Sequence, residues 1–129
     1  MSQHAPHRIL IVDDEEKLSR FVSMCLSRIG YETTTCTSAG EARRRLEDED
    51  WTLVLTDLMM PDETGFQLIA WLQEHRPQLP VVVITAHSTQ SIQGQVAQAR
   101  VAGFLNKPFT LKDLYATVEK ALAPVDLSG

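Results

Sequence analysis

Polar residues fall where apolar runs end: Asp13 and Asp14 after "RILIV", Asp57 after "TLVLT", Thr85 after "PVVVI" and Lys107 after "GFLN". Carboxylates brought together repel one another, and a cation offsets that repulsion. Mg2+ suits such a place, because it takes one or two protein carboxylates and keeps several waters. Lys107 adds an ammonium and Thr85 a hydroxyl. A metal, an ammonium and a hydroxyl around a carboxylate supply the charge and donors that phosphoryl transfer uses. A carboxylate can itself be the nucleophile, giving an aspartyl phosphate. Taken one at a time, these residues read more plainly. Asp13 and Asp14 read as helix N-caps, Asp57 as a turn residue before a proline loop, Thr85 as a cap and Lys107 as a surface lysine. The chemical reading rests on their joint placement at strand ends.

The elements that must position them follow from periodicity. "RILIV" (8–12) is a continuous apolar run, as in a strand buried on both faces. Leu18, Phe21, Val22, Cys25, Leu26 and Ile29 form one apolar stripe at helical spacing, and Gly30 ends that helix. "YETTTCT" (31–37) is Thr-rich and half apolar, which predicts an edge strand. Ser38 N-caps a short helix to Asp48 with Ala39, Ala42 and Leu46 inward. A strand at 51–57 leads to a loop at 59–65 and a helix at 66–75 with Leu68, Ile69 and Leu72 inward. A strand at 80–85 precedes a helix at 89–101. This helix is the weakest element: Gly94 costs about 1 kcal/mol relative to Ala, and its stripe is only Ile92, Val96 and Ala99. A strand at 103–106 and a helix at 110–122 complete the chain. Thr110 caps that helix, with Leu111, Leu114, Tyr115, Val118 and Leu122 on one face. Repeated β-α alternation predicts a doubly wound α/β fold with a parallel sheet and helices on both faces. In such folds ligands bind beyond the carboxyl ends of the strands, where the strand order reverses.

Composition narrows the classes of function. The chain has 129 residues, which fits one domain, and is 43% hydrophobic and 22% charged. Net charge is −5 and the pI is about 5.3, against the basic footprint of a nucleic-acid or anionic-lipid binder. No apolar run approaches the roughly 20 residues of a membrane span, and "MSQHAPHR" lacks the apolar core of a secretory signal. A cytoplasmic protein is the expectation. Cys25 and Cys36 lack CxxC spacing and read as buried free thiols. No histidine has metal-ligand spacing. Trp51 and Trp71 read as packing residues, and "RRR" (43–45) beside "EDED" (47–50) as a solvated, salt-bridged helix face. Glu15 and Glu16 read as first-turn acids that complement a helix dipole.

"IVDDE", "LTDLMMPDETG", "VVVITA" and "GFLNKPF", in this order and spacing, resemble the receiver domain of two-component response regulators over about residues 8–122. The resemblance implies five strands in the order 2-1-3-4-5. It makes Asp57 the phosphoacceptor. Asp14 would ligate Mg2+ (or Mn2+) directly and Asp13 through water, with Asp57 and the main-chain carbonyl of Met59 completing the protein ligands. Thr85 and Lys107 would bond phosphoryl oxygens, Phe104 would change rotamer on phosphorylation, and the Lys107–Pro108 peptide would be cis. Met59 and His87 would flank the path of the hydrolytic water; with an apolar Met59, slow self-dephosphorylation is expected. The implied donor is a sensor histidine kinase or phosphotransfer domain. The implied protein is a switch rather than a turnover enzyme, signalling through the face of helix 4, strand 5 and helix 5, with a phosphorylation-dependent homodimer as one outcome. Residues 1–7 read as an N-terminal tail and 123–129 as a C-terminal tail or the start of a linker. Whether the sequence is a whole protein or part of a longer one stays open, as do the output and the cognate kinase.

Rival functions fit less well. A flavodoxin-like cofactor binder needs a Ser/Thr/Gly-rich phosphate loop after the first strand, and "DDEE" stands there. A phosphatase of the haloacid dehalogenase type needs a second Asp two residues after its nucleophile, and position 59 is Met. A degenerate receiver that binds partners without phosphorylation would not need the full polar set.

Overall fold

The computed structural model of the chain describes residues 7–60, 62–86 and 89–123. Strands and helices alternate as β1 (Arg8–Val12), α1 (Glu16–Arg28), β2 (Glu32–Cys36), α2 (Ala39–Asp48), β3 (Leu53–Asp57), α3 (Gly65–His75), β4 (Val81–Thr85), α4 (Gln90–Ala99), β5 (Gly103–Asn106) and α5 (Leu111–Leu122). The strands form one parallel sheet in the order β2-β1-β3-β4-β5. The Thr-rich β2 is an edge, as its half-apolar pattern predicts. The β1 chain first winds outward to β2, then returns to add β3 on the other side. The sheet therefore has its switch point between β1 and β3, and Asp13 and Asp57 end those two strands.

Alternation along the strands divides the core in two. Leu10, Val12 and Val54 face Leu46 of α2, Leu68 and Leu72 of α3 and Val96 of α4. Ile9, Ile11, Leu53 and Leu55 face Val22 and Leu26 of α1 and Leu114 and Val118 of α5. Each such side chain contributes roughly 1.5–3 kcal/mol by leaving water, so the three central strands are held firmly. Ser38 and Thr110 cap α2 and α5 as expected, accepting from the N–H groups of Glu41 and Asp113. Gly30 follows α1 at φ 103°, the left-handed conformation that favours glycine there. Cys25 and Cys36 are buried free thiols; burial pushes the Cys36 thiol up to about 12. No described helix is long and apolar enough to cross a membrane.

Several stripe residues depart from expectation. Phe21, Ile29 and Leu111 are 43%, 50% and 42% exposed. A helix lying on a sheet buries only a narrow arc, and positions at the rim of the stripe or at the helix ends fall outside it. The charged face of α2 is also less solvated than its sequence suggests. Arg45 pairs with Glu49 within the helix, but Glu49 also pairs with Arg8 at 2.6 Å, and Arg43 pairs with Glu63 at 2.5 Å. Arg8 in turn stacks its guanidinium 4.4 Å from the centroid of Trp51, and Trp71 packs against the α2–α3–α4 core.

Two glycines make opposite predictions. A Cβ on Gly65 would stand 2.8 Å from the Leu58 Cα and collide with the Asp57 carbonyl, so Gly65 is what lets α3 begin directly behind the end of β3. One on Gly94 of α4 meets nothing within 4 Å. Urea denaturation should show Gly65→Ala destabilising by about 1–3 kcal/mol and Gly94→Ala stabilising by up to about 1 kcal/mol. Equal effects at the two positions would contradict this packing.

Candidate functional site

Backbone hydrogen bonds carry the polar residues to one edge. The ladders run on past the strands: Asp13 N–H donates to the Cys36 carbonyl at 3.0 Å, and Lys107 N–H to the Thr85 carbonyl at 2.8 Å. Val12 is in register with Thr56 and Asp57 with Ile84, so the residues that follow β1 and end β3 lie side by side. Asp13 and Asp57 are buried while Asp14 is exposed, and carboxylate oxygens of the three lie within 4.8 Å of one another.

Lys107 reaches into this group. Its Nζ stands 3.0 Å from Asp13 Oδ2 and 2.9 Å from Asp57 Oδ2, and it also pairs with Glu15. Three carboxylates thus share one ammonium, with Asp14 close by. Burial works against the Lys107 charge, but the hydrogen bonds to Glu15, Asp57 and Asp13 outweigh it and hold the group above the usual lysine range. Asp13 is shifted up as well, which for an acid disfavours the charge. Burial raises its pKa more than the Glu15 N–H and Lys107 lower it. Asp57 has both oxygens engaged, Oδ2 by Lys107 and Oδ1 by the Met59 N–H at 3.1 Å.

The remaining candidates surround this centre. Thr85 ends β4, fully buried, one strand over from Asp57. Phe104 on β5 is half-buried and packs on the α2–α3–α4 side of the sheet. Met59 is 51% exposed. The Lys107–Pro108 peptide is cis. His87 lies outside the described residues.

Some features differ from the reading by sequence. Glu15 does more than complement a helix dipole, since its carboxylate is a partner of Lys107. Lys107, which the sequence reading places at this edge as a cation, is paired with three carboxylates. Asp13 and Asp14 are not N-caps; the N-cap of α1 is Glu15, and no side chain caps it. Asp13 Oδ1 instead accepts from the Glu15 N–H at 2.9 Å, just ahead of the helix. Helix α3 begins at Gly65, one residue early, behind a capping box formed by Thr64 and Gln67. The Thr-x-x-Gln spacing was a readable signal for that start.

Comparison with known proteins decides the family. The response regulator receiver domain family matches residues 9–119. The chain belongs to that family. It is 35% identical to the DNA-binding transcriptional regulator NtrC of Azospirillum brasilense over 88% of the chain and 24% of that protein. It is 34% identical to the response regulator receiver protein CpdR of Brucella abortus over 89% of the chain and 96% of that protein. The solution structure of the beryllofluoride-activated NtrC4 receiver domain dimer superposes with a TM-score of 0.85 at 30% identity, over 89% of this chain and 95% of that one. The chain spans about a quarter of the length of the NtrC proteins it matches.

The receiver site offers only hard oxygen donors to a cation, the chemistry that suits Mg2+ rather than a softer metal. A groove of about 680 Å3 lies among Trp51, Arg76, Leu79 and Leu122. Asp13, Asp14, Glu15 and Asp57 do not line it, and it opens where β3 and β4 begin rather than at their carboxyl ends. If Lys107 is what offsets the buried carboxylates, Lys107→Met should lower stability by roughly 3 kcal/mol, the cost of stripping the partner from buried charge. Added Mg2+ should recover part of that loss by binding the folded state alone. Urea denaturation at low salt, with and without Mg2+, checks both; a Lys107→Met protein as stable as wild type would contradict them.

Proposed function

We propose that this receiver domain takes a phosphoryl group onto Asp57 from a phosphohistidine of a sensor kinase or phosphotransfer domain. The observation that carries the reading is the position of Asp57. It is a buried carboxylate at the switch point of the sheet, flanked by two further acids and bonded to a half-buried lysine. A carboxylate oxygen of Asp57 forms the new bond to phosphorus. The phosphorus–nitrogen bond breaks, and its electron pair stays on the leaving imidazole, which takes up a proton from solvent. Lys107 exchanges Asp57 Oδ2 for a phosphoryl oxygen, and the Thr85 hydroxyl bonds another. Asp14, Asp13 through water, Asp57 and the Met59 carbonyl would hold Mg2+, which when bound neutralises charge on the carboxylates and the transferring group. Met59 is exposed and apolar and offers no group to orient a hydrolytic water, which supports a long-lived phosphoryl group. The full set of polar residues at one edge speaks against a degenerate receiver. Intact-mass analysis after acetyl phosphate treatment tests the assignment. Wild type should gain one phosphoryl mass only with Mg2+ present, and Asp57→Asn should not. Equal gain by Asp57→Asn would refute it.

The output of the switch is proposed at α4, β5 and α5. Helix α4 buries only Val96, with Ile92 and Ala99 half-buried, so its local stability is low, and moving elements are drawn from that end of the range. It follows β4, whose last residue Thr85 would be drawn toward the phosphoryl group. Phe104 on β5 would then turn into the space the threonine leaves. The beryllofluoride-activated NtrC4 receiver domain is a dimer, and by that likeness the α4–β5–α5 face here would bind a second copy or another partner. Coupling requires two states with different contacts, not proximity alone. Beryllofluoride should therefore change hydrogen exchange most across residues 86–106. Changes confined to other segments would place the switch elsewhere.

A further inference from the structure

The site reading gives the segment between β3 and α3 a demanding task, since Met59 in it would offer a main-chain carbonyl to the metal. The segment carries no buried side chain from Met59 to Thr64 among the described residues. Met60 packs partly buried against the core, and the rest of the segment is held by polar contacts. Asp62 reaches across to α2. Its Oδ1 accepts from the Ala39 N–H at 3.1 Å and its Oδ2 from the Gly40 N–H at 2.9 Å. These are first-turn N–H groups of a helix, which have no partner within the helix itself. Ser38 satisfies the N–H of Glu41, and Glu41 Oε1 accepts from the Thr37 N–H at 3.0 Å. Helix α2 is thus capped by its own residues at one N–H and by Asp62 at two more. The pull of the Gly40 and Ala39 N–H groups holds the Asp62 carboxyl below the usual range. Next door, Glu63 pairs with Arg43 of the same helix at 2.5 Å, and Arg43 lies over Trp71 of α3. Gly40 fits this contact closely, since a Cβ there would stand 3.3 Å from Asp62 Oδ2.

We propose that Asp62, supported by the Glu63–Arg43 pair, is a positioning residue for the phosphoacceptor site. It clamps the β3–α3 segment to the N-terminus of α2 and so fixes the backbone that carries the Met59 carbonyl. Asp62 touches neither metal nor phosphoryl group; it acts through the main chain of its own loop. The inference rests on the proposed metal site and extends it to a contact about which that site's own residues say nothing.

The effect to look for is on metal affinity rather than on folding. Outer-shell partners typically matter by 10- to 100-fold in metal affinity, so Asp62→Ala should weaken Mg2+ binding on the order of tenfold. Phosphorylation from acetyl phosphate at saturating Mg2+ should stay close to the wild-type rate. Asp62→Asn keeps one acceptor oxygen and should fall between. Ser38→Ala is the control, because it removes a cap from the same helix without touching the loop. It should lower the melting temperature while leaving Mg2+ affinity unchanged. Calorimetric Mg2+ titration of the four proteins, with thermal melts alongside, decides the matter. Wild-type affinity in Asp62→Ala would overturn the clamp alone, as would equal loss of affinity in Ser38→Ala. Absence of Mg2+ binding by the wild type would overturn the metal site and the clamp with it.

Discussion

Like charge confined at the carboxyl edge of the sheet is the constraint to which the rest of this structure answers. Asp13 and Asp57 are brought side by side by strands that are themselves fixed on both faces, so they cannot move apart. Asp14 and Glu15 follow at once in the chain. The repulsion is offset by one ammonium, on Lys107, whose reach is set by the short β5 strand and by the hydrogen bond from its N–H to the Thr85 carbonyl. Buried charge of this kind is seldom retained for stability alone, since well-packed apolar residues often serve as well or better. In the proposed function, a lysine drawn from carboxylate to phosphoryl oxygen would give the cluster a second arrangement of nearly the same charge partners, which is what a switch requires.

The two sides of the site are built to different standards. On the α2–α3 side, Gly65 brings α3 against the end of β3, a capping box starts that helix, and Asp62 and Glu63 tie the intervening loop to α2. On the other side, α4 buries only Val96, and the Gln73 side chain ties α3 to it at the Ala99 carbonyl. On the proposed function, rigidity is concentrated where a metal and a nucleophile would need fixed geometry, and the weakest helix lies where a signal would leave. The same chain order supplies both, because the switch point lies between β1 and β3 while β4 and β5 extend toward one edge.

Much of this was legible in the sequence, for identifiable reasons. The β-α alternation and the polar residues at strand ends could be read because each strand is a short, continuous apolar run bounded by acids, a hydroxyl or a lysine. The caps at Ser38 and Thr110 could be read because their partners lie three residues on. The contacts that escaped are those between residues far apart in the chain. Nothing near Glu15 announces that Lys107 will meet it, and nothing near Asp62 announces the N-terminus of α2. Phe21, Ile29 and Leu111 were assigned to the core because helical periodicity gives the direction of a stripe but not the width of the arc that the sheet will cover.

The most direct measurement is to locate the acyl phosphate chemically. Reduction with borohydride after acetyl phosphate and Mg2+ converts a phosphorylated aspartate to homoserine, which tandem mass spectrometry places to a single residue. The account predicts homoserine at position 57 alone, and none when Mg2+ is withheld. Homoserine at position 13 or 14, or a yield at 57 that is indifferent to Mg2+, would contradict it.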